Sequence, residues 1–183
     1  MTIPRKIIIS GLIIATIFSC ISLAGVYAQS TNITSQQIEK IRSNCTSTKN
    51  TLSQLHASDA LLRVNRGQAY ESIQTKLMDR FNSRIASNKI ENDSLSTVTT
   101  NYSKALDKFR LDYKQYEEDL ASALNIDCSS QPSKFYDAVS LARLKRSYVH
   151  NDVTSLNRLI DEYQSSLAKF QNDYKTAARG ISQ

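Results

Sequence analysis

Five basic side chains and two cysteines carry most of the chemistry that this 183-residue chain can offer. Arg63 and Arg66 stand three apart, and Arg143, Lys145 and Arg146 fall within four positions. Residues three or four apart share a helix face, so each group presents donors that fit a carboxylate or a phosphate. Two uses follow. With Asp59, Glu117 and Glu118 nearby, these residues form an ion-pair layer that sets the register of packed helices. Left free, they form a basic patch for an anionic partner such as a polymer, a lipid headgroup or an acidic protein.

Cys45 and Cys128 are the only cysteines beyond an N-terminal hydrophobic stretch, and an even count in an exported domain predicts a disulfide. Neither belongs to a CxxC, and no histidine stands beside either, so a catalytic thiol is not expected. His56 and His150 lack HExxH spacing. Glu117, Glu118 and Asp119 are consecutive rather than opposed across a cleft. No phosphate loop or nucleophile elbow is present. The sequence therefore reads as a non-enzyme, with no cofactor and no metal.

The elements that must hold these residues are helices. Ala142, Val149, Leu156, Tyr163, Phe170 and Ala177 fall seven apart, with Val153, Ile160, Leu167 and Tyr174 as a second series between them. That narrow strip predicts a long helix packed against other helices, from Pro132 in its first turn to about Arg179, with Gly180 as its stop. An earlier helix, about 94–126, carries Leu95, Val98, Tyr102, Ala105, Phe109, Tyr113, Tyr116, Leu120 and Leu124, with Asp93 or Ser94 as its cap. The first, about 35–87, opens on a Thr34/Gln37 capping box and shows Ile38, Ile41, Cys45, Thr48, Leu52, Leu55 and Leu62. It resumes after Asp59 and Arg66 as Ala69, Ile73, Leu77, Phe81 and Ile85. The step from sevens to fours implies a local change of twist, and Asn65-Arg66-Gly67 is the place where a true break would fall.

Two prolines, four glycines and no tryptophan suit uninterrupted helices, and nine tyrosines against five phenylalanines suit a thin bundle whose rings cover a seam while their hydroxyls reach water. The expected fold is all-α: an N-terminal transmembrane or signal helix, then an elongated antiparallel three-helix coiled-coil-like bundle over 29–183. Short connections, such as Asn88–Asp93, make successive helices antiparallel neighbours. Matching levels along the first hairpin sets Arg63 and Arg66 near Glu117 and Glu118, and Cys128 within reach of Cys45.

Residues 1–6 form a short basic cytoplasmic segment. Ile7–Ala28 then gives 22 residues without charge behind Arg5 and Lys6, about 33 Å as a helix, enough to cross the hydrocarbon layer. The basic flank stays in the cytoplasm. Val26-Tyr27-Ala28 also fits a signal-peptidase site, and a lipid-anchored Cys20 is a third fate. Each fate sends the following domain outside, either single-pass in the cell membrane or secreted after cleavage at Ala28. Net charge is +6 overall and +4 from Gln29 onward (21 basic against 17 acidic side chains), too small and dispersed for nucleic-acid binding. Asn32, Asn44, Asn92 and Asn101 begin glycosylation patterns that matter only in a glycosylating source.

The stretches SQLHASDALLRVNRGQAY (53–70) and NIDCSSQPSKFYDAVSLARLKRS (125–147) resemble exported proteins of the Saccharibacteria. The resemblance implies a bacterial envelope setting and transfers no active site. The expected function is a membrane-anchored scaffold or adhesion module of the envelope, with an envelope or surface protein partner or self-association. The alternative is a ligand-binding or sensing module for an anionic partner, built on the mid-rod basic residues.

Overall fold

A computed structural model describes residues 33–90 and 92–181, and every secondary-structure element among them is helical. The basic segment 1–6, the hydrophobic segment Ile7–Ala28 with its cleavage site and Cys20, and Asn32 lie outside the described residues. Among those described, no helix is long and apolar enough to cross a membrane.

The first arm joins α1 (Ser35–Ser43), α2 (Cys45–Ser72), a π-helical segment (Ile73–Met78) and α3 (Asp79–Ser87). Its capping box forms as read: the Gln37 amide donates to the Thr34 hydroxyl at 3.3 Å, and the Thr34 amide donates to the Gln37 side chain at 2.8 Å. The arm is interrupted at Asn44, whose side-chain amide turns back to the Lys40 carbonyl at 2.9 Å. It is not interrupted at Asn65-Arg66-Gly67, where α2 runs straight through.

The twist change lies later than Asp59–Arg66, in the π-helical segment. A spacing of four overshoots the 3.6-residue turn, and one wide turn absorbs the excess. Around it the inward stripe departs from the expected one at two positions, while Ile73, Phe81 and Ile85 pack on the core as their spacing implies. Tyr70 and Met78 are buried, whereas the expected Ala69 and Leu77 are exposed. Leu62 is also off the core, at 48% exposure.

The arm ends in a left-handed turn. Lys89 has φ 56°, the Lys89 amide donates to the Ala86 carbonyl at 2.9 Å, and the Ile90 amide donates to that of Ile85 at 3.2 Å, which together make a Schellman motif. Helix α4 (Asp93–Asn125) is capped by Asn92 rather than Asp93 or Ser94; the Asn92 side chain accepts from the Leu95 amide at 3.0 Å. Asn serves as well as Asp or Ser at this position. Helix α5 (Pro132–Ile181) starts on Pro132 as expected and continues past Gly180.

Cross-helix hydrogen bonds give the directions. Ser94 meets Ser166 and Lys145 meets Gln115, so α5 runs antiparallel to α4. Asn82 meets Thr99 and Lys49 meets the Ile126 carbonyl, so the arm is antiparallel to α4 as well. The core between them is one aromatic-rich seam. Leu95, Tyr102, Leu106 and Phe109 of α4 face Leu156, Leu159 and Tyr163 of α5, with Tyr70, Met78 and Ile85 from the arm. A second cluster gathers Tyr113, Tyr116, Leu120 and Ala142. The tyrosine hydroxyls do not simply reach water. Those of Tyr102 and Tyr163 donate to the Tyr70 carbonyl (3.1 Å) and the Asn82 side chain (3.2 Å).

The seven-residue series of α5 is packed only as far as Phe170, whose ring meets Phe81 edge-on at 5.8 Å. From 171 to 179 every residue is exposed, Tyr174 at 58%, so Tyr174 and Ala177 are not the seam residues their spacing predicts. The reason is length: the start of α4 is level with Ser166, and α5 runs on.

Candidate functional site

The charged layer centres on Asp59, buried at 8% exposure on the inward stripe of α2. From α5, the Arg146 guanidinium donates to both of its oxygens, at 2.8 and 3.1 Å. From α4, the buried Tyr116 hydroxyl donates to it at 2.7 Å. One carboxylate thus binds all three helical runs. Burial alone would raise its pKa, but the Arg146 and Tyr116 hydrogen bonds and the arginine's charge outweigh that and hold it below the usual range. The Tyr116 hydroxyl is pushed well up, by burial first and then by the adjacent carboxylate.

The five basic residues do not all face one way. Consecutive residues fan about 100° apart around a helix, and α5 distributes its three accordingly. Arg146 faces Asp59. Lys145 turns to α4, donating to the Gln115 side chain at 2.9 Å, with its ammonium 5.7 Å from the Tyr148 ring. Arg143 is exposed. On α2, Arg63 lies over the Tyr113 ring at 5.2 Å, while Arg66 lines the same groove. Neither pairs with Glu117 or Glu118, near which the level-matching sets them. Glu117 accepts from the Tyr113 hydroxyl at 3.2 Å, and Glu118 pairs along its own helix with Lys114 at 3.8 Å.

Arg63, Arg66 and Arg146 therefore share one concavity of about 220 Å³, with His150 rather than Arg143 or Lys145 on its wall. Its floor is apolar, built on Phe109, Tyr113, Val149 and Val153. A second groove lies on the other side of α2, beside Gly67 and Glu71, and shares Arg63 and Phe109 with the first. Between Asp59 and Tyr70 no α2 residue is fully buried, and both grooves are lined by this stretch of the helix.

A second polar layer lies inside the α4–α5 hairpin. The Lys108 ammonium donates to Asp112 at 2.5 Å and to Asp152 at 2.7 Å. Asp152 is 4% exposed, and its second oxygen has no hydrogen-bond donor among the described residues. Burial raises the Asp152 pKa, opposed by Lys108 and reinforced by Asp112, whereas the Lys108 hydrogen bond lowers that of Asp112. Sequence reading missed this layer. Its one signal is that Asp152 stands seven before the buried Leu159, on a strip one residue off the series of Val153 and Ile160.

Cys45 and Cys128 meet at disulfide distance, with Cα atoms 5.5 Å apart, packed under Phe135. The loop that delivers Cys128 is tied by Asp127, which accepts from the Ser129 amide at 3.0 Å and the Ser130 hydroxyl at 2.7 Å. His56 and His150 belong to no metal-type cluster of three ligands among the described residues. Asn101 precedes a fully buried tyrosine, and Asn92 is engaged as a helix cap. No known protein family, no curated protein and no solved structure matches this chain.

Proposed function

We propose that this chain is a non-enzymatic helical rod that works outside the cytoplasm as a scaffold or adhesion module of the cell envelope. It crosses the membrane once through Ile7–Ala28 with its N-terminus in the cytoplasm; if it is cleaved after Ala28, the same domain is secreted. The observation that carries this reading is the pairing of Cys45 with Cys128 across 83 residues, since such a bond belongs to an oxidising compartment. The domain beyond it reads as an antiparallel three-helix coiled-coil-like rod. The 50 residues of α5 extend about 75 Å at 1.5 Å per residue. Their exposed end, with Tyr174 stacked on Phe170 at 6.3 Å, is a natural contact for an envelope or surface protein, or for a second copy. The likeness to exported Saccharibacteria proteins favours the same setting. We assign no nucleic-acid partner and no cofactor.

Thiol trapping in intact source cells tests the compartment. Protection of both cysteines from alkylation until a reductant is added, together with trimming of the domain by external protease, is the expected result. Alkylation of both cysteines without reductant, in a chain shielded from protease, overturns the reading. Crosslinking followed by affinity recovery then separates its two forms: reproducible envelope proteins mark a scaffold, and self-linked material marks an adhesive rod.

A further inference from the structure

We propose that the groove between α2, α4 and α5 is a binding site for a small amphipathic carboxylate, a function beyond the rod itself. Three guanidiniums and one carboxylate line the groove, and the carboxylate is already filled: both Asp59 oxygens accept from Arg146, and one accepts from Tyr116 as well. Arg63 and Arg66 are left without a carboxylate partner among the described residues, on one face of α2. The surplus favours an anion, and the nearby Asp59 favours one carrying a single charge over a dianion.

The floor then narrows the class. Phe109 and Tyr113 are 4% and 3% exposed, and Val149 and Val153 extend the apolar surface along α5. Leu62, on the rim, is 48% exposed, which leaves an apolar wall open to solvent. A bare anion would satisfy the arginines and leave the apolar surface of Leu62, Val149 and Val153 wet. A neutral hydrocarbon would cover the floor and leave Arg66 without a partner among the described residues and Arg63 with only the Tyr113 ring. A carboxylate on an apolar body does both, since guanidinium forks take carboxylates two oxygens at a time and burying the body recovers hydrophobic free energy.

Size limits the body. At about 220 Å³ the groove lies below the roughly 300 Å³ of ordinary drug-sized pockets, so a single ring or a short branched chain fits. Between Asp59 and Tyr70, open grooves lie along both sides of α2. Arg63 belongs to both grooves, so its side chain can follow a ligand without moving the helix.

The test is fluorine NMR on the full chain in a non-ionic detergent. 4-(Trifluoromethyl)phenylacetate serves as the probe, its amide as the uncharged control and inorganic phosphate as the competitor. The expected result is broadening of the carboxylate signal by the protein, with the amide bound at least about fivefold more weakly. Arg63→Gln/Arg66→Gln should weaken the probe by about tenfold or more, the scale of a lost charge-assisted pair, with helicity and Tm unchanged. Should that double variant melt early, Arg66→Gln alone decides, since no described side chain bonds to Arg66. Absence of broadening, equal binding of the amide, unchanged binding in the variant, or displacement by equimolar phosphate would each overturn the assignment. The last two point to partition and to a bare-anion site respectively.

Discussion

The two halves of the molecule are held together by different means. Helices α4 and α5 share a continuous seam, and α4 alone buries ten side chains along its 33 residues. In α2, 28 residues long, only Cys45, Asp59 and Tyr70 are buried, while Leu61, Leu62 and Val64 are 65%, 48% and 47% exposed. The hairpin is bound by packing spread along its length, whereas the lower arm is bound by a few discrete fasteners. Chief among these are the cysteine pair, the Asp59 carboxylate and the Tyr70 ring, which meets Phe109 edge-on at 5.9 Å. Distributed packing resists any single substitution. A fastened element depends on each fastener.

The contrast can be broken most strongly at the cysteines. Cys128→Ser removes a closure across 83 residues and should lower unfolding stability by about 2–4 kcal/mol. It should also raise hydrogen exchange in α1 and α2 before α4, as read by exchange mass spectrometry. Asp59→Ala comes next, because it leaves the buried Tyr116 hydroxyl and the Arg146 fork without their acceptor. We expect a loss of about 2–3 kcal/mol in urea unfolding, again with early opening of α2.

Asp152→Asn acts within the hairpin and in the opposite direction. The amide can donate to Asp112 and still accept from Lys108, so a buried charge is removed while the polar contacts are kept. Stability at pH 7 should be unchanged or higher by up to about 1 kcal/mol. The pH dependence sharpens this. Asp59 has a folded pKa below its unfolded value, so its contribution is present above about pH 4 and is lost as pH falls through the folded value. Asp152 has a raised folded pKa, so its contribution is complete below the unfolded value and lost as pH rises through the folded one. The groups facing it are Lys108 and Asp112. Urea midpoints of Asp59→Ala should therefore start below wild type at pH 7, those of Asp152→Asn at or above it, and both should converge on wild type in acid. Asp152→Asn falling below wild type at pH 7 would show that the ion pair to Lys108 outweighs the burial cost.

The smallest change concerns the arm's own helicity. Gly67 sits inside α2, and a Cβ added there meets nothing within 4 Å. Gly67→Ala should raise stability by about 0.5–1 kcal/mol, visible as a modest rise in Tm. A decrease would place an unrecognised contact over that position.

The same contrast governs what the sequence discloses. Where packing is distributed, spacing reads directly: Leu95, Tyr102, Phe109, Tyr113, Tyr116 and Leu120 are all buried as their periodicity implies, and the Thr34 box and Pro132 start stand where the residues put them. Where a local irregularity intervenes, spacing misleads by one residue, as at Ala69 and Leu77 around the π-helical turn. Charged partners are legible only in part. Asp59 and Arg146 are identifiable as charges on the inward strips, yet their pairing depends on which faces three helices turn to one another. The same uncertainty assigned Arg63 and Arg66 to Glu117 and Glu118. Of the groove, Arg63, Arg66 and Arg146 are legible as members of a basic patch, but the concavity is not, because it depends on how three helices meet. The end of the α5 seam at Phe170 reflects the length of the other elements, which no strip on α5 records.

Linking Cys45 to Cys128 has a topological consequence. The Asn88–Asp93 turn, with Lys89 at its apex, lies inside the loop that this bond closes, and α5 lies wholly downstream of it. A single proteolytic nick at the turn would yield two fragments that remain one covalent molecule and separate only under reduction. Damage at the distal tip can therefore be borne without shedding either piece.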